Sequence, residues 1–328
     1  MILVTGASGF VGQHLVQYLS AQGKPVRALY NSHPPKDELL LLPNISWMQC
    51  DLLDIYAVEA AMEGIEDIYH CAAVVSFAPG DKQRMLHFNV EATANIVNEA
   101  IARNVRKILY VSSIASLGRN AAGKEITEEE EWQESKHNSI YSLSKYNAEL
   151  EIWRGIGEGL DAVIINPGII LGEGNWDEGS ARLIKVVYNE FPFYTEGING
   201  WVDVKDVVAL AHRLMNSDIS AERFIVSAGN FSYKDIFTRM AEAMGRKPPY
   251  IKANALMTGI VWRWNWLRNR LFGSKITVTK ETARTANHLN YYNNNKLFSF
   301  LPGFQYTPIQ DTINRMATSF LSFNDIKN

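Results

Sequence analysis

Tyr141-Ser142-Leu143-Ser144-Lys145 holds the pair of side chains best suited to proton chemistry in this chain. In a helix, residues four apart lie one above the other on one face. An ammonium beside a phenol favours the phenolate and draws its pKa down from about 10. Tyr141 would then be a general acid/base usable near neutrality. Ser112-Ser113 closes an apolar run, Lys107 to Val111. The Ser113 hydroxyl could bind a substrate oxygen as charge develops on it, with Ser112 as the neighbouring alternative. Tyr-x-x-x-Lys alone is also a common surface helix pair, so the weight rests on its combination with the start of the chain.

That start supplies a platform. Ile2-Leu3-Val4-Thr5 runs into Gly6-Ala7-Ser8-Gly9-Phe10-Val11-Gly12, and Leu15, Val16 and Leu19 then follow a helical period. Strand, glycine loop and helix N-terminus together make a pyrophosphate site. Gly6 allows the tight turn, Gly9 lets the backbone approach phosphate, and Gly12 lets the helix pack closely on the sheet. An ordinary Gly-rich turn is the plain alternative; the strand and helix flanks favour the binding loop.

Strands are expected at Pro25–Tyr30, Ile45–Gln49, Asp67–His70, Lys107–Val111 and Ala162–Asn166. Helices are expected over Asp81–Arg103 and Ser139–Gly157, with a Gly- and Glu-rich loop from Gly118 to Asn138 between them. The alternation predicts an α/β fold, a Rossmann-type doubly wound parallel sheet. Residues 1–168 would form the dinucleotide-binding part, carrying Ser113, Tyr141 and Lys145. Residues 169–328 would form a smaller, mostly helical substrate-binding part, with some segments returning to the core. Helices are expected there near Glu178–Asn189, Val204–Asn216, Tyr233–Met244, Ala253–Phe272, Thr279–Asn287 and Ile309–Leu321. Short strand-like pieces lie at Trp201–Asp203 and Arg223–Val226.

The second strand ends in Tyr30-Asn31-Ser32-His33, without the acid that usually accepts from the adenosine ribose in an NAD site. Arg27, His33 and Lys36 are the groups near enough to meet a 2′-phosphate, which favours NADP over NAD. Asp51 is placed to accept from the adenine amino group, and it could also cap the helix that starts at Ile55. Cys71-Ala72-Ala73 offers small residues for a cofactor to lie across, and His70 reads as a packed strand-end residue.

The bulk properties narrow the field. The chain has 328 residues, 47% hydrophobic and 20% charged, with a formal net charge of −3. That suits a soluble globular protein and gives no electrostatic footing for nucleic acid. Cys50 and Cys71 lie in core-like segments, with no disulfide framework and no metal spacing. No apolar run is long enough to span a bilayer. With the first strand starting at Ile2, the chain reads as cytoplasmic. Trp262, Trp264 and Trp266 interleave with Arg263, Arg268 and Arg270. A helix packed over the substrate pocket or against another subunit is the leading reading, and membrane-surface contact is the second.

Thr5-Gly6-x-x-Gly9-x-x-Gly12, Asp51-Leu52, Asn89, Ser113 and Tyr141-x-x-x-Lys145, in this order, resemble the extended short-chain dehydrogenase/reductase superfamily. This is the NAD-dependent epimerase/dehydratase group, with dihydroflavonol reductase-like members. The resemblance implies Tyr141 as proton donor or acceptor, Lys145 on the nicotinamide ribose, and Ser113 on the substrate oxygen. It implies Gly6, Ser8, Gly9, Phe10, Val11, Gly12, Asn31, Asp51, Leu52, Ala72, Ala73, Tyr141, Lys145, Pro167 and Ile169 along the cofactor. Asn89 would be a structural residue near the site. A homodimer through the helices that hold Asn89 and Tyr141 is implied as well, and a small-molecule substrate.

Ile114-Ala115 after Ser113 replaces the acidic pair of the dehydratases, and the stretch from Glu128 to Trp132 leans towards the reductase branch. Asn166-Pro167-Gly168 stands where the family often has Arg-Pro-Gly. A ketone/alcohol reductase is therefore the first expectation. A nucleotide-sugar epimerase with tightly held NAD is the second, and a non-catalytic dinucleotide sensor the third.

Overall fold

The computed structural model describes residues 1–76, 79–118, 124–133, 138–253 and 287–327. The Trp262–Trp266 segment, and nearly all of the two helices expected around it, lie outside the described residues. In chain order the first half contains β1 (Ile2–Thr5), α1 (Phe10–Ala21), β2 (Val26–Tyr30), α2 (Asp37–Leu40), β3 (Ile45–Gln49), α3 (Ile55–Ala61), β4 (Asp67–His70), α4 (Lys82–Ala102), β5 (Lys107–Val111), β6 (Glu125–Ile126), α5 (Ile140–Gly157) and β7 (Ala162–Pro167). The second half contains β8 (Ile169–Leu171), α6 (Arg182–Tyr188), β9 (Phe193–Tyr194), β10 (Ile198–Asp203), α7 (Val204–Met215), β11 (Glu222–Val226), β12 (Gly229–Ser232), α8 (Tyr233–Ala243), β13 (Ile251–Lys252) and β14 (Tyr291–Tyr292). Helices Asn295–Phe300 and Ile309–Lys327 follow.

Seven strands form one sheet in the order β11-β7-β5-β4-β1-β2-β3, and every neighbouring pair is parallel. This is the doubly wound Rossmann-type α/β sheet. Strands β1, β5 and β7 read as largely apolar runs because both of their faces are covered. Side chains alternate between the faces: Leu109 and Val111 of β5 join the core under α1 and α7, while Ile108 and Tyr110 join the core under α3, α4 and α5. Chain order reverses between β1 and β4, so the crevice at their carboxyl ends is the topological switch point.

β11 and α7 lie beyond residue 168 and belong to this sheet and its core. The helix expected from Glu178 starts at Arg182, and the strand expected at Trp201 starts at Ile198. A three-stranded sheet, β12-β10-β8, carries a separate core built from α6, α8 and the helix Ile309–Lys327. Asp203, fully buried at the end of β10, ties this unit to α7. It accepts from Lys205 N (2.8 Å), Thr312 Oγ1 (2.7 Å) and Arg315 Nη2 (2.8 and 2.6 Å). A buried carboxylate is tolerable only with its lone pairs filled in this way.

Two sequence readings are corrected here. Asp54, not Asp51, caps α3: its carboxylate accepts from Tyr56 N and Ala57 N, while Asp51 Oδ1 accepts from Leu53 N at 3.1 Å. Arg27 is not free for a cofactor phosphate. Its Nη1 donates to Ala61 O and Glu63 O, both at 2.8 Å. The sheet's period of two sends Arg27 to the same face as Leu29, towards the end of α3.

Candidate active site

The glycine loop is built by backbone crowding. Gly6 has φ +62°, and a Cβ there would sit 2.7 Å from Ala72 Cα. A Cβ on Gly12 would sit 2.1 Å from the Gly6 carbonyl oxygen. Only glycine allows β1, α1 and the Ala72 segment to approach this closely. Gly9 is the N-cap of α1 and no side chain caps that helix. The first-turn N–H groups therefore face the crevice without a side-chain acceptor, as an anion site requires. Ser8, Phe10 and Val11 are half-buried around this turn. Ala72 and Ala73, also half-buried, continue from β4 beside it, and Pro167 and Ile169 flank the end of β7. Asn31 is exposed at the end of β2, where Gln49 Nε2 donates to its carbonyl at 3.1 Å. Asp51 is exposed and Leu52 buried at the end of β3. These residues fit a dinucleotide laid across the switch point.

α5 begins at a Ser139 cap, whose hydroxyl accepts from Ser142 N at 2.9 Å. Tyr141 is half-buried. Burial pushes its phenol pKa up, and a side-chain hydrogen bond with Ser113 opposes that rise. The Lys145 ammonium, one turn on, turns to β5. Lys145 Nζ donates to Tyr110 Oη at 3.1 Å and to Val111 O at 2.9 Å, and it lies 4.7 Å from the centre of the Tyr110 ring. Burial pulls its pKa down to about 8 against the opposing charge of Glu149.

Ser112 and Ser113 have different surroundings. Ser112 Oγ donates to Glu149 Oε2 at 2.7 Å. Ser113 Oγ accepts from Ala115 N at 3.1 Å and meets Tyr141, so Ser113 is the serine that faces the phenol. Glu149, one turn beyond Lys145, also accepts from Ser116 Oγ (2.7 Å), Asn166 Nδ2 (2.9 Å) and Arg223 Nη1 (3.1 Å). Asn166 therefore works inside this cluster, and the cation in it, Arg223, comes from the adjacent strand β11.

Asn89, buried on α4, bridges three segments. It accepts from Val74 N at 2.7 Å, donates to Val74 O at 3.0 Å, and donates to Ser144 Oγ at 3.0 Å. This holds the chain after β4 against α5. His70 is fully buried and packed as expected. Its Nδ1 meets Thr5 Oγ1 at 2.7 Å and its Nε2 meets Thr93 Oγ1 at 3.0 Å. Burial and the nearby Lys145 charge pull its pKa down to about 3, so it is neutral.

Sequence reading missed Glu149, Tyr110, Thr93, Asn166 and Arg223. One signal was present: Tyr141, Lys145 and Glu149 recur every fourth residue, which stacks three ionisable groups on one helix face. The others depend on which strands lie under α5. Among the described residues no group of acidic, histidine or cysteine side chains could hold a metal ion, and no helix is long and apolar enough to cross a membrane.

Comparison with known proteins agrees with this fold. Sterol demethylase protein B of Methylococcus capsulatus is 29% identical over 279 residues, covering 82% of this chain and 83% of that protein. Cinnamoyl-CoA reductase 1 of Petunia hybrida is 29% identical over 231 residues, covering 66% of this chain and 68% of that one. The crystal structure of gox2253 superposes with a TM-score of 0.82 at 28% identity, over 98% of both chains. The family model for the NAD dependent epimerase/dehydratase family matches residues 2–227, and the chain belongs to this family of NAD-dependent enzymes.

Proposed function

We propose that the protein is an NADP-dependent reductase that interconverts a small-molecule ketone and its alcohol, with Tyr141 as general acid/base. The observation that carries this reading is the pairing of Ser113, just past the end of β5, with Tyr141. The reductase names of relatives such as the Petunia protein support it over epimerisation. The cofactor, when bound, supplies or accepts the hydride.

This chain's residues do the rest. The uncapped α1 N-terminus and the Gly6–Gly12 loop hold the pyrophosphate. Lys145 donates to a nicotinamide ribose hydroxyl, and its charge then lies near Tyr141. Ser113 donates to the substrate oxygen as it gains charge, and Tyr141 delivers its proton to that oxygen during reduction or removes it during oxidation. A phenol whose pKa burial has raised is protonated near neutrality, the state that reduction requires. The missing acid at the end of β2 favours NADP, with the exposed His33 and Lys36 as the groups available to a 2′-phosphate. The residues after 168 shape the substrate side, and α4 and α5 form the interface of a homodimer.

Calorimetric titration of NADPH and NADH in parallel, into protein checked for retained nucleotide, tests the reading. NADPH should bind at least about tenfold tighter, a difference of about 1.4 kcal/mol, to protein that carries no nucleotide. Retained NAD, or tighter NADH binding, would favour the epimerase.

A further inference from the structure

Tyr110 lies under the Lys145 ammonium on the central strand β5 and is fully buried. Its hydroxyl also meets Thr93 on α4. The directions of the bonds around it can be deduced. Thr93 Oγ1 donates to Asn89 O at 2.7 Å, so it can only accept from its other two neighbours. Thr5 Oγ1 accepts from Ala72 N at 3.1 Å, which leaves its hydrogen for His70 Nδ1. His70 is thereby held as the Nε2–H tautomer, donating to Thr93. Tyr110 must donate to Thr93 as well, and its lone pairs then face Lys145. The chain Thr5–His70–Thr93–Tyr110–Lys145 crosses β1, β4, α4, β5 and α5. Each of its hydroxyl hydrogens has an acceptor.

We propose that Tyr110, oriented by Thr93 and His70, is the positioning residue for Lys145: it fixes one ammonium N–H and keeps the lysine protonated where the cofactor ribose is expected. This rests on the reading of Lys145 given above. An ammonium has three donors. Tyr110 and Val111 take two, so the direction of the third is set before any ligand arrives. The groups that bear on the Lys145 charge are Glu149 on its own helix, His70 and Cys71 at the end of β4, and Tyr110 on β5; α4 presents neutral Asn89 and Thr93. Of these, His70 is held neutral and the Tyr110 phenol is held protonated by burial, so neither can take the lysine's proton.

Tyr110→Phe isolates the hydroxyl, because it keeps the ring under the ammonium and the stacking on His70 (5.4 Å, 25°). The titration of Lys145 can be read by NMR of protein with 13Cε-labelled lysine, with the resonance assigned by its loss in Lys145→Arg. Losing a hydrogen bond to a charged group should lower the lysine pKa by about one unit. Thr93→Val should move it the same way by less, and Thr93→Ser should restore it. The pH at which NADPH affinity falls off on the alkaline side should shift down in parallel in Tyr110→Phe. An unshifted Lys145 resonance in Tyr110→Phe would overturn the proposal, as would Thr93→Ser behaving like Thr93→Val. The role of Lys145 itself is tested separately: full NADPH affinity in Lys145→Met would undo the ribose reading and leave the NMR result standing.

Discussion

Glu149 and Lys145 are both buried charges, one turn apart on the same face of α5, yet they are treated in opposite ways. The carboxylate receives four donors, and one of them is the guanidinium of Arg223. The ammonium receives a phenol oxygen and a carbonyl, both neutral, and its pKa falls to about 8. A charge that is fully matched is locked in place, and its value lies in what it holds together. A charge held by neutral acceptors keeps part of its desolvation penalty, and a ligand hydroxyl can still improve its position. The first arrangement anchors α5, β5, β7 and β11 to one another; the second is suited to chemistry.

Removing the matched charge should have the largest effect on stability. Glu149→Ala takes the carboxylate from half-buried Arg223 and removes the acceptor shared by Ser112, Ser116 and Asn166. The loss should be about 3–5 kcal/mol, read as a lower denaturant midpoint. A loss below about 1 kcal/mol would mean that the cluster is solvated and the contrast with Lys145 false.

The two serines sharpen the contrast. Ser113→Ala should lower kcat/KM about 10²-fold with little change in the unfolding midpoint. Ser112→Ala should cost about 1–3 kcal/mol of stability and leave kcat/KM nearly unchanged. Reversed results would move the substrate-facing role to Ser112.

The smallest effect is a slope. His70 titrates near its ordinary value of about 6.5 in the unfolded chain and near 3 when folded. The unfolded state therefore binds more protons between those values. The contribution of neutral His70 is complete above about pH 6.5 and is lost as pH falls towards 3, at up to about 1.4 kcal/mol per unit. Chemical denaturation followed from neutral to acid pH should show this slope, and His70→Asn should flatten it.

The parts legible in sequence were those set by local spacing. Gly6, Gly9 and Gly12 announce the loop because their spacing falls within seven residues, and Tyr141 with Lys145 announces a helix face. Parallel strands buried on both faces betray themselves as apolar runs. Asp51 and Asp54 both sit ahead of α3, and composition alone does not say which one reaches its N–H groups. Arg27 was assigned to the cofactor although its position in β2 sends it to α3. Lys145 was read beside Tyr141 alone, and β5 also brings Tyr110 beneath it. Asn166 had no reading until β11 placed Arg223 beside Glu149. The Arg27, Lys145 and Arg223 contacts join residues 34 to 74 positions apart, and only the strand order brings them together.

The central claim is that Tyr141 moves the proton in a net reduction. The most direct test follows NADPH oxidation with a dihydroflavonol-type ketone, comparing wild type with Tyr141→Phe and measuring NADPH affinity on both. The account expects kcat to fall about 10²- to 10⁴-fold with NADPH affinity within about twofold, about 0.4 kcal/mol. Undiminished turnover in Tyr141→Phe would contradict it.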